Sequence, residues 1–265
     1  MRVLVTHPGR HGDLLWALPA IRALYEATGA QIDLGTSPKY AGLVTLIEQQ
    51  PYVHHAFAIS GWEIQETAPM TPREPPGLPD GYDQVYHLGY EGWPAVPLPF
   101  DVAKRVGVPI DLGRPWITVP TTRRQIPVAV GFTDEHFELK YGLWTLLIAL
   151  EGHSLADWSS LSGHRGSRWV EEGYHGPVSW LLAAELLAVS QVFFGCCSAL
   201  HVLACALGKP CVLMEPNPQR HHPIFWPYGM DGPQVTIVRG GDGQPTFDAR
   251  HCADALRKAL EQAGG

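Results

Sequence analysis

Three short segments hold the residues whose types and spacing suit chemistry. The first is Gly9-Arg10-His11-Gly12-Asp13, a Gly-containing turn between a β-rich run and an apolar periodic stretch. Such a turn presents backbone N–H groups at the positive end of a helix, where anions are favoured. Asp13 is either the N-cap of that helix or a carboxylate at the mouth of the sheet, where open α/β sheets bind ligands. The preference of Asp for caps weighs toward capping. The second segment is Gly195-Cys196-Cys197-Ser198-Ala199-Leu200-His201, a strand-to-helix turn of small residues that lets a ligand approach the backbone. Ser198 caps the helix or donates to a phosphate, and the two roles can coexist. The third is Glu215-Pro216-Asn217-Pro218-Gln219-Arg220-His221-His222, a polar loop leaving a strand, in which the forked donors of Arg220 suit a phosphate as well as they suit solvent. Lys140, ahead of an apolar helix, has a charge able to neutralise a diphosphate, but a lone lysine is usually solvated.

The elements that position these segments follow from periodicity. Residues 2–6 form a strand, and Leu14, Leu18, Ile21 and Tyr25 fall at helical spacing after it, with Pro19 expected to kink that helix or mark its first regular turn. Strands at 32–34 and 56–59 flank a helix-like stretch at 41–49, the alternation that builds a parallel sheet. Residues 60–82 are punctuated by five prolines and predict a surface loop. A strand at 84–88 and a short helix at 100–106 follow, and then a proline-punctuated stretch at 109–127 without sustained period.

The domain boundary belongs in that stretch, giving domains 1–122 and 123–265. The second half restarts the pattern, with a strand at 128–132, helices at 141–150 and 179–189, and a buried strand at 192–195. Ser179 is a good N-cap, Gly208-Lys209-Pro210 reads as a helix stop, and 211–214 as the next strand. The tail at 248–262 is amphipathic, with Ala253, Leu256 and Leu260 on one face, and is expected to pack back as a closing helix.

Composition narrows the function classes. The chain has 265 residues, enough for one large core or two modest ones, and its 45% hydrophobic and 17% charged residues are ordinary for a globular protein. A formal charge of −7 without a Lys/Arg block excludes a nucleic-acid scaffold. The five cysteines show no spaced framework and read as buried thiols in a reducing, cytoplasmic compartment. The N-terminus lacks the pattern of a signal peptide, and the longest apolar runs, 181–189 and 199–207, are too short to span a bilayer. Cys197, His201 and Cys205 recur every fourth residue, a spacing that suits a metal site, yet the stretch is otherwise apolar and lacks Cys-x₂-Cys pairs, so core packing is the better reading and no metal is expected. No G-x-G-x-x-G follows the first strand, which argues against a dinucleotide oxidoreductase.

Together these segments resemble glycosyltransferase family 9, the heptosyltransferase group. The opening Met1-Arg2-Val3-Leu4-Val5 followed by Gly12-Asp13-Leu14-Leu15-Trp16-Ala17-Leu18-Pro19-Ala20 is similar to the family's start, a G-D pair before a helix containing L-P-A. Ser198-Ala199-Leu200-His201 through Gly208-Lys209-Pro210 resembles its donor-binding D-S-G-P-x-H-L-A-A-A-L-G-K-P segment, and Lys140 with Trp144 its K-x-W-P…W-x-x-L stretch. Cys197 stands in place of that segment's Asp, Ala199 in place of its Gly, and His201 falls one residue early. The resemblance implies an α/β, GT-B-like fold of two Rossmann-like domains with parallel sheets facing a cleft. The N-terminal domain would take the acceptor and the C-terminal one the donor.

The resemblance also implies inverting, metal-independent transfer of a heptose or related sugar from a nucleotide donor, such as an ADP-linked one, to a lipopolysaccharide-type or surface-polysaccharide acceptor, with no separate cofactor. Asp13 would then be the general base. Gly12, Lys140, Ser198, Ala199, His201, Glu215 and Arg220 would bind the donor, and a glycolipid acceptor would bring the protein to the inner face of a membrane. A non-catalytic nucleotide- or sugar-binding module of the same fold is the rival reading, favoured by Cys197.

Overall fold

The computed structural model describes residues 1–62, 71–90, 96–120, 125–131, 158–160, 179–215, 234–239 and 249–264. They fall into two compact units, one running from Met1 to Thr118 and the other taking the described residues from Val119 on. Each is an α/β unit built on a parallel sheet.

In the first unit the order is β1 (Arg2–His7), α1 (His11–Thr28), β2 (Gln31–Thr36), a 3₁₀ helix (Pro38–Leu43), α2 (Val44–Glu48), β3 (His55–Ala58), β4 (Gln84–His87) and α3 (Leu98–Val106). All strand pairs are parallel and the order is β3-β2-β1-β4. The chain steps outward from β1 to β3 and then crosses to the other side of β1, so the topological switch point lies between β1 and β4. β1 and β2 are buried beyond their first residues, as strands covered on both faces must be.

α1 buries Leu14, Leu18 and Ile21, but Tyr25 is on the exposed side. Pro19 lies inside α1, which begins at His11, so the proline does not mark its first regular turn. After α3 the chain up to Thr118 has no regular structure and is tied back by side chains. Trp116 packs on Trp16 with ring centroids 5.5 Å apart, and its indole N–H donates to Leu15 O at 3.2 Å. The Arg22 guanidinium, largely buried, donates to the carbonyls of Pro115 and Asp111 at 2.6 and 2.7 Å, which satisfies a charge that would otherwise be costly to bury.

The second unit contains β5 (Ile126–Gly131), β6 (Trp158–Ser160), α4 (Trp180–Val189), β7 (Ser190–Gly195), α5 (Ala199–Ala206), β8 (Cys211–Glu215), β9 (Val235–Arg239) and α6 (Ala249–Gly264). Its parallel sheet runs β6-β5-β7-β8-β9, with the switch point between β5 and β7. β5 starts inside the stretch read from sequence as aperiodic. Pro127 is tolerated near its start, where the ladder pairs Ile126 and then Val128 with β7. β6 and β9 are strands that the sequence pattern did not announce. α6 closes the core as expected, with Cys252, Ala253, Leu256 and Ala259 packed against Val128, Val192, Phe194, Val212 and Met214. Ser179 caps α4, its Oγ accepting from Leu182 N at 3.2 Å. The helix expected at 141–150 lies outside the described residues.

Candidate functional site

Both turns singled out in the sequence lie at switch points, at the C-terminal ends of the strands where open α/β sheets bind ligands. In the first unit β1 ends at His7 and the chain turns through Pro8, Gly9 and Arg10 into α1. Gly9 has φ +124, and a Cβ there would lie 1.8 Å from the Tyr40 ring, so only glycine fits the turn. Its N–H donates to His7 Nδ1 at 3.1 Å. Burial pushes the His7 imidazole down to about 3, against a smaller opposing effect of that hydrogen bond, so the ring is neutral at ordinary pH. Tyr40 also meets His11 edge to face, with centroids 5.1 Å apart.

Arg10 is the N-cap of α1, with a non-helical backbone and no side-chain cap bond. The capping role expected for Asp13 is therefore corrected. The helix starts two residues before Asp13, which occupies its third position. The alternative reading describes what is observed: a carboxylate at the sheet's ligand-binding edge, next to Gly12. Asp13 is 6% exposed. Burial pushes its carboxyl up to about 7, while the Arg10 charge and a hydrogen bond from the Tyr90 hydroxyl hold it from rising further. That hydroxyl donates to Asp13 Oδ2 at 3.2 Å. Tyr90 follows β4 across the switch point and was missed in the sequence, because a contact spanning 77 residues depends on β4 pairing with β1.

In the second unit β7 ends at Gly195, packed so closely that a Cβ there would lie 2.0 Å from Gly131 O of β5. The turn then runs through Cys196 and Cys197 to Ser198, the N-cap of α5. Ser198 Oγ accepts from His201 N at 3.4 Å, and the Ser198 N–H lies 3.2 Å from His201 Nδ1, a capping box with histidine in the usual Glu position. The cap uses the serine oxygen as acceptor and leaves the hydroxyl proton for an anion, so capping and phosphate donation are compatible. The N–H groups of Ala199 and Leu200, in the first turn, have no intrahelical acceptor.

Cys197 precedes the cap and so lies off the helix, which breaks the four-residue stripe, while His201 and Cys205 are buried. Cys205 Sγ sits 3.9 Å from Cys211 Sγ as packed free thiols. Burial raises the Cys211 thiol well above its usual range. Among the described residues no group of three or more His, Cys, Asp or Glu could hold a metal ion. None of the described helices is long and apolar enough to cross a membrane.

The structure thus places Asp13 and Gly12 at one switch point, and Ser198, Ala199 and His201 at the other. Glu215 ends β8, with its side chain outside the description, and Lys140, Trp144 and Arg220 lie outside the described residues.

Comparison of the sequence with protein-family models and with curated proteins finds no match. Solved structures do match. E. coli heptosyltransferase WaaC with ADP superposes with a TM-score of 0.66 at 14% identity, covering 99% of this chain and 100% of that one. A glycosyl transferase family 9 protein from Veillonella parvula gives 0.65 at 12% identity, covering 98% and 97%. E. coli ADP-heptose LPS heptosyltransferase II gives 0.65 at 13% identity over 100% of both chains. Over nearly its whole length this chain has the α/β, GT-B-like fold of solved family 9 glycosyltransferase and heptosyltransferase structures.

Proposed function

We propose that this chain is a glycosyltransferase that moves a sugar, heptose or a related one, from a nucleoside-diphosphate donor to a glycan or glycolipid acceptor. The observation that carries the reading is Asp13: a buried carboxyl at a switch point, raised to about 7, on the fold of heptosyltransferases. A general base works best with its pKa near the working pH.

In this reading Asp13 takes the proton from the acceptor hydroxyl as its oxygen attacks the anomeric carbon. The bond from that carbon to the diphosphate oxygen breaks on the opposite face, so configuration inverts. The departing diphosphate is held by the Ser198 hydroxyl and the free N–H groups of Ala199 and Leu200 at the start of α5, with His201 bracing the turn. Gly12 leaves room beside Asp13, and Lys140, Glu215 and Arg220 complete the donor contacts. Residues 1–122 form the acceptor-side domain and 123–265 the donor-side domain. The donor is ADP-linked, as in the structures solved with ADP and named for ADP-heptose. No metal or separate cofactor takes part. The chain works in the cytoplasm and meets a glycolipid acceptor peripherally at the membrane's inner face.

Calorimetric titration with ADP, UDP, GDP and dTDP and their sugar conjugates tests the donor, with micromolar binding of the adenine series expected and no binding to any of them counting against the reading. Turnover that survives EDTA and is lost in Asp13→Asn with donor affinity retained is expected next. A second reading, a non-catalytic nucleotide-binding module, is favoured by the half-buried Cys197 at the place of the family's Asp. It predicts nucleotide binding without turnover.

A further inference from the structure

We infer that Tyr90 is the positioning residue of the Asp13 carboxylate: it holds one carboxylate oxygen and leaves the other for the acceptor proton. This rests on the reading of Asp13 as base. The geometry comes from the sheet. β4 lies beside β1, Leu88 N donates to Thr6 O at 2.7 Å to continue that pairing, and Thr6 Oγ1 meets His87 Nδ1 at 2.8 Å. The chain leaving β4 is therefore fixed to the end of β1, and Tyr90 emerges at the switch point facing the first turn of α1.

Tyr90 is itself 6% exposed, and its hydroxyl donates to Asp13 Oδ2 at 3.2 Å. Burial above all, and then the neighbouring Asp13 charge, raise the phenol far above its usual value, so it remains a proton donor at every working pH. A hydrogen bond to one oxygen restrains the carboxylate, and the second oxygen is the one left to accept from a substrate hydroxyl.

The groups acting on Asp13 among the described residues are few. Arg10, exposed at the N-cap of α1, acts through its charge, and Tyr90 acts from the end of β4. His7, at the end of β1, is held neutral, and burial lowers His11. Arg10 acts through solvent and is screened by salt, whereas the buried Tyr90 hydrogen bond is not.

The test is Tyr90→Phe, which keeps the ring and removes the hydroxyl. The midpoint of the acid limb of kcat against pH is expected to rise by about one pH unit, the size of a weak charge-assisted hydrogen bond. Turnover at pH 7 then falls about fivefold and recovers at pH 9, with donor KM unchanged within about twofold. The shift is expected to persist at high salt, whereas a similar shift in Arg10→Gln disappears there. A midpoint that does not move in Tyr90→Phe overturns the inference, whatever happens to kcat or melting temperature.

A second readout does not need turnover. The carboxyl carbon of Asp13, followed by NMR in ¹³C-aspartate-labelled protein and identified by its loss in Asp13→Asn, is expected to titrate about one pH unit higher in Tyr90→Phe. An unchanged titration overturns the inference by itself. A shifted titration alongside undiminished turnover in Asp13→Asn supports the tuning by Tyr90 and removes the base reading, so the two failures are distinguishable.

Discussion

Replacing Asp13 with Asn is expected to stabilise the protein at alkaline pH while removing the proposed transfer. The folded carboxyl titrates at about 7 against an ordinary value of 3.8, so folding holds the proton to higher pH than the unfolded chain does. For a group raised in this way the slope of stability with pH is negative. Its contribution is fully present below 3.8 and is lost as pH rises through about 7. At about 1.4 kcal/mol for each pH unit, the whole cost of ionising the buried group is about 4 kcal/mol.

Asparagine has nearly the same shape, carries no charge and keeps a carbonyl oxygen for the Tyr90 hydroxyl. The variant should match the parent within about 1 kcal/mol at pH 4, where both folded side chains are neutral, and exceed it by about 2 to 4 kcal/mol at pH 8.5, allowing for partial relaxation around the ionised group. Urea unfolding of both proteins at the two pH values, followed by tryptophan fluorescence and circular dichroism, measures this. Taking the difference between variant and parent cancels the other titrating groups. An equal difference at both pH values, or a loss of stability at pH 8.5, would refute the claim that burial dominates at Asp13.

Three further perturbations have defined outcomes. Ser198→Ala removes the cap of α5 and should lower the stability of the second unit by about 1 kcal/mol; if the same turn binds the diphosphate, ADP affinity measured by calorimetry falls with it, and unchanged affinity leaves Ser198 as a cap alone. Gly195→Ala drives a methyl into Gly131 O across the β5–β7 ladder, where no flexible side chain can move aside, and should cost about 3 kcal/mol in a urea melt, with a variant as stable as the parent refuting the close approach. Asp33→Asn should lower stability at pH 7 by about 2 kcal/mol by weakening the bonds from Arg2, His54 and Tyr82. That loss should shrink as pH falls below the ordinary carboxylate range, because a lowered carboxyl contributes stability only above its folded pKa.

Much of the fold was legible because its signals are local. The strand-turn-helix segments around Asp13 and Ser198 are β-rich runs ended by glycine, followed by apolar residues at helical spacing. Ser179, Ser198 and the amphipathic α6 carry their own cap and face signals. The cap at α1 was misread because Asp is a better cap than Arg by propensity, while the backbone at Arg10, φ −43 and ψ 168, starts the helix two residues before Asp13. Tyr90 had no local signal at all. Its contact with Asp13 arises from the strand order, which places residues 77 apart at one switch point, and no short motif encodes that order.

Among its described residues the first unit buries two carboxyl groups and treats them oppositely, and this contrast separates a structural charge from a poised one within one sheet. Asp33 lies toward the N-terminal edge, among Arg2 at the start of β1, His54 before β3 and Tyr82 before β4. Burial alone would raise it, but these donors outweigh burial and hold it below its usual value, so it stays ionised and ties four segments together. Asp13 lies at the C-terminal edge, in the first turn of a helix whose dipole already favours a negative charge. Burial wins there all the same, because the Tyr90 hydroxyl and the Arg10 charge are too little to offset it. A carboxyl kept only for packing would do better as asparagine, and one kept for a structural charge would have the donors that Asp33 has. A group left poised at about 7, at a switch point where open α/β sheets bind ligands, suits the proton exchange proposed for it.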